Sequence, residues 1–67
     1  MSKPSWNKAP KWAGWLAQDF AGSWHWFEFE PVALLRSCIF IDMGGRVIFS
    51  VQGKSDEAWK ETLERRP

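Results

Sequence analysis

The stretch Trp15-Leu16-Ala17-Gln18-Asp19-Phe20-Ala21-Gly22-Ser23-Trp24-His25-Trp26-Phe27-Glu28-Phe29 sets the frame for the rest of the chain. Its two halves are rich in large aromatic and aliphatic side chains that suit a pleated strand, and Asp19 to Ser23 supply the Asp and Gly a loop needs. The reading is a hairpin of Trp12 to Gln18 and Trp24 to Phe29, closed by Pro31. Centring the loop on Ala21 sets Trp15 opposite Phe27 and Gln18 opposite Trp24, and strand alternation then sorts the side chains. One face carries Ala13, Trp15, Ala17, His25, Phe27 and Phe29. The other carries Trp12, Gly14, Leu16, Gln18, Trp24, Trp26, Glu28 and Glu30.

Working outward, Leu35 to Met43 and Arg46 to Gln52 are rich in Ile, Val and Phe, and Gly44-Gly45 between them can adopt the positive φ angles of a type I′ turn. A second hairpin is predicted there, with Pro31 to Leu35 fitting either a helical turn or a crossover. Beyond Gly53, Ser55 can cap a helix whose first turn holds Asp56 and Glu57 and whose last holds Arg65 and Arg66. Pairs four apart, Asp56 with Lys60 and Glu61 with Arg65, support it, and Trp59 with Leu63 forms its narrow apolar stripe. The expected fold is therefore α+β: a four-stranded antiparallel curled sheet of two hairpins, open to SH3-like closure, with one C-terminal helix. Residues 1–11, with two prolines and Lys3, Lys8 and Lys11 but no acid, read as a flexible basic arm before a single small domain over 12–67.

The chain has 67 residues, six Trp, five Phe, one Cys and one His. At this size a core hides only about 60% of the unfolded surface. A lone Cys38 excludes an intramolecular disulfide, and one Cys with one His cannot fill a structural zinc site. The formal charge of +1 gives no overall footprint for nucleic acid. No apolar signal or membrane-spanning run is present, so the expectation is a soluble protein of a reducing cytoplasm with no membrane partner. Both sheet faces are apolar, whereas a small sheet under one helix needs only one such face. A curled sheet, the Trp6 arm or a second chain could supply the missing cover, and curling with some intermolecular contact is the favoured solution.

Few residues offer chemistry. His25 reads as a hydrogen-bonded, partly buried histidine and Cys38 as a small hydrophobe in an apolar strand. Glu28 and Glu30 lie on one face with no cleft around them, which favours a solvated edge over a two-carboxylate hydrolase. There is no phosphate loop, metal-binding helix or nucleophile elbow, so the expectation is a non-enzyme without cofactor or metal. Trp12, Trp24 and Trp26, with Leu16, Glu28 and Glu30 on the same face, are the candidate partner-binding set. Core packing is the leading reading for these Trp, a protein-binding hot spot the second, and a base-stacking platform flanked by Lys8 and Lys11 the third. Because they exceed what a core needs, the function expected is binding of a macromolecular partner, with nucleic-acid binding and a structural homo-oligomer as alternatives.

The run Trp15-Leu16-Ala17-Gln18-Asp19, then Gly22-Ser23-Trp24-His25-Trp26-Phe27-Glu28 and Pro31, resembles the very short uncharacterised accessory proteins of tailed bacteriophages. The resemblance covers under a third of the chain and brings no catalytic residues with it. What it implies is a context: a phage product in the host cytoplasm that binds and modulates or inhibits a bacterial host protein, antiviral defence components included.

Overall fold

Trp15 does lie opposite Phe27, Leu16 opposite Trp26, Ala17 opposite His25 and Gln18 opposite Trp24, in the register that the Asp19 to Ser23 loop predicts. The computed structural model describes residues 3–67; Met1 and Ser2, the first two residues of the predicted arm, lie outside the described residues. The strands are β1 (Trp15–Gln18), β2 (Ser23–Phe27), β3 (Val32–Leu34), β4 (Ile39–Ile41), β5 (Val47–Gln52) and β6 (Glu64–Arg65), with 3-10 turns at Trp6–Lys8 and Trp59–Thr62. A four-stranded sheet runs β5-β2-β1-β6, and β3 pairs with β4 in a separate two-stranded sheet. Every pairing is antiparallel.

The first loop is tied by its own acid. Ser23 N–H donates to Asp19 Oδ1 at 3.0 Å, and Asp19 N–H donates to Ser23 O at 3.1 Å. Gly22 turns the chain with φ of 101°, a conformation in which L side chains are strained.

The fold class is mostly β, which corrects the α+β expectation: among the described residues there is no C-terminal helix. Asp56 opens a single turn, accepting from Ala58 N–H through Oδ1 at 2.9 Å and from Trp59 N–H through its carbonyl at 3.1 Å. Leu63 then leaves helical space with ψ of 126°, and Glu64 and Arg65 pair with Leu16 and Trp15. The physical reason is a competition. An isolated helix shorter than about 12 residues is marginal in water, whereas the outer edge of β1 offers unpaired backbone groups that the C-terminus can satisfy.

The Gly44-Gly45 hairpin is corrected too. Leu35 to Met43 is not one strand, because Cys38 adopts φ of 57° in the loop joining β3 to β4, and the predicted crossover region folds as β3. The segment Val47–Gln52 pairs instead with β2, with a register shift between Trp24 and His25. Of the two glycines only Gly44 has positive φ, and a type I′ turn requires it at both. β2 is thus flanked on both sides, and it is the central aromatic strand of the sheet.

The core sits on the face of Leu16, Trp24 and Trp26, with Ala13 beside them and Trp6, Ala9 and Trp12 packed against it. Leu16 is fully enclosed. The Trp6 ring lies 4.9 Å from that of Trp26, so the segment read as a flexible arm supplies cover for this face. The C-terminus holds it there: Arg66 donates to the carbonyls of Pro10 at 3.0 Å and Ala13 at 2.6 Å, and its guanidinium sits 5.4 Å from the Trp6 ring centroid.

Candidate functional site

Cross-strand partners share a face, so the sheet face opposite the main core carries Trp15 and Ala17 from β1, His25 and Phe27 from β2, and Val47 and Phe49 from β5. Ala17 and Phe27 are buried there, and Phe40 of β4 meets buried Trp59 edge-on at 5.3 Å. The β3–β4 hairpin does not close over the rest. Between it and the sheet lies a groove of about 510 Å³, lined by Ala17, His25 and Phe27, by Ile39 to Asp42 and by Val47 to Phe49, with Asp19 at its rim.

The groove is apolar and its charged lining residues are Asp19 and Asp42 alone. Phe49 is 52% exposed and Val47 42%. His25 is half-buried, its ring 5.6 Å from Phe49 in an edge arrangement and 6.1 Å from Phe27, which makes it one wall of the groove. Val32 and Leu34 of β3, and Leu35 after it, are exposed apolar residues as well.

The residues singled out from sequence are brought together, but inward. Leu16, Trp24 and Trp26 are buried in the chain's own core, and Trp12 is half-buried against it, with the Arg46 guanidinium 5.9 Å from its ring centroid. The core reading of these Trp fits this placement, and no aromatic platform faces solvent there. Glu28 is half-buried, and its Oε1 accepts from Arg46 N–H at 3.0 Å; Glu30, Lys8 and Lys11 are exposed. Cys38 is not in a strand, and its thiol approaches Leu35 O at 3.6 Å.

The residues sequence reasoning missed are those of β5. Their signal was present: Val47-Ile48-Phe49 is apolar at successive positions instead of alternating, the mark of a strand that shows apolar groups to both sides.

Among the described residues no group of His, Cys, Asp and Glu is arranged to hold a metal ion, and no helix is long and apolar enough to cross a membrane. No protein-family model matches the chain, and no curated protein or solved structure matches it.

Proposed function

We propose that this chain is a small non-catalytic binding module that engages a partner protein through the groove between β5 and the β3–β4 hairpin. One observation carries the reading: exposed Phe49 and Val47 line an apolar groove together with the half-buried β4 residues, although the chain has buried a separate aromatic core of its own. Surfaces of this kind on a small domain are where partners dock. The module acts by occupying a site on its partner. The resemblance of the first hairpin to phage accessory proteins makes a bacterial host protein, met in the host cytoplasm, the class of partner to test.

The test is a capture experiment with a surface control. Ile41→Lys places a charge in the groove wall and leaves the main core untouched, so it should remain folded and lose a partner that the unaltered chain captures from bacterial lysate in stoichiometric amount. Equal capture by both proteins would sink the proposal.

A further inference from the structure

We propose that the open edge of β5 is a self-pairing edge, and that two copies of the chain join antiparallel through it into one continuous eight-stranded sheet. β5 ends the sheet order, so it has a strand on one side only. Glu28 N–H donates to Arg46 O at 2.9 Å and Gly53 N–H to Gly22 O at 2.7 Å. Those bonds fix which residues point at β2, and alternation then turns the backbone groups of Val47 and Phe49 outward. An unprotected edge of this kind is a template for another strand.

The chemistry of the strand favours a second copy as the occupant. From Val47 to Gly53 there is no charged residue, while Arg46 and Lys54 flank the run. With Val47 of each copy opposite Phe49 of the other, an antiparallel two-fold pairing centred on Ile48 sets Arg46 opposite Ser50 and places no like charges opposite one another. It also carries the exposed Lys54 of each copy to the end where the other holds Glu28 and Asp42. An inward charge, a proline and a Lys are all absent from Val-Ile-Phe-Ser-Val-Gln, and the register shift of β5 falls past Phe49, clear of the Val47 to Phe49 stretch.

The area sets the strength. Val47, Ile48, Phe49 and Val51 are 42%, 50%, 52% and 37% exposed. Together they offer on the order of 300 Å² of side chain per copy, against about 800 Å² per partner in a standard interface. The dimer is accordingly a weak one, with a dissociation constant in roughly the micromolar to sub-millimolar range. Edge pairing is made along the β5 backbone and goes beyond the proposed function without depending on it, although Val47, Ile48 and Phe49 also line the groove.

Sedimentation equilibrium of the full chain from about 5 µM to about 1 mM tests this by mass action. The mass should rise from the 7.8 kDa of one chain toward twice that value. Val47→Pro removes an outward N–H at the first residue of the strand, and Ile48→Lys brings like charges together near the two-fold axis. Each should weaken association at least about tenfold, a change of the size that losing one central contact produces. The near-ultraviolet circular dichroism of the Trp core reports folding, and Ile48→Lys alone decides if the proline variant unfolds. Weakened association in either folded variant supports the pairing. A wild-type mass fixed at one chain up to the highest concentration overturns it and leaves the edge to a different protein, and association undiminished in both variants overturns it as well.

Discussion

The Trp6 indole packs on Trp26 with ring centroids 4.9 Å apart and planes inclined at 59°, so a residue near the chain start closes the core that the first hairpin opens. This contact turns the aromatic excess of the sequence into a lid and a floor.

The lid should be measurable. Removing a buried Trp side chain typically costs about 3–5 kcal/mol, and Trp6 is only half-buried, so Trp6→Ala is expected to cost about 2–3 kcal/mol. For a domain of this size that lowers Tm by roughly 10–20 °C, read by thermal circular dichroism. The double change Trp24→Ala with Trp26→Ala empties the core and should abolish the cooperative melt.

The two positive-φ glycines make a matched pair. Gly22 and Gly44 share φ of 101°, but a Cβ on Gly22 would run into the backbone of Gly53 and Lys54, whereas one on Gly44 would meet open space. Gly44→Ala should cost about 1 kcal/mol, the backbone penalty alone. Gly22→Ala should exceed about 3 kcal/mol, because backbone must move as well. Urea denaturation of the two variants checks the difference.

Thr62 stands in for a strand partner. Its Oγ1 accepts from Gln18 N–H at 2.9 Å and donates to Trp59 O at 2.7 Å, beyond the short reach of β6 along β1. Thr62→Val keeps the shape and leaves that amide unpaired, for an expected loss of about 1–3 kcal/mol. Faster amide hydrogen exchange at Gln18 than at Leu16 in this variant would localise the effect.

Acid should loosen the terminal clasp. Glu64 Oε1 lies 2.6 Å from Lys3 Nζ, and that ammonium, aided by the Trp6 indole and opposed by partial burial, holds the carboxyl below its ordinary value. A carboxyl depressed in the folded state stabilises above its unfolded pKa, and the contribution fades as pH falls through the folded value. Glu64→Gln should therefore flatten the acid limb of stability against pH below about 4.5. Both side chains are more than a third exposed, so the effect stays under about 1 kcal/mol and shrinks with added salt.

Local sequence is enough to specify the first hairpin. Asp19 and Gly22 fix the loop, and with a loop of known centre, strand alternation alone sorts Leu16, Trp24 and Trp26 from Ala17, His25 and Phe27. That sorting is local, and the structure has it unchanged. Which face would be core and which would be open was a matter of what covers each, and cover comes from residues distant in the chain. Trp6 and Arg66 close one face from the two termini, and on the other the β3–β4 hairpin leaves a groove.

The partners of β5 and of the C-terminus are likewise set by contacts between distant parts of the chain. The Gly44-Gly45 pair made Arg46 to Gln52 look like the return strand of a local hairpin, and the Asp56 to Arg66 charge pattern looked like a helix with proper ends. Both local preferences are worth only tenths of a kcal/mol to about 1 kcal/mol. They lost to the unpaired edges of β2 and β1, whose backbone groups must be satisfied along a whole strand once the aromatic core has formed.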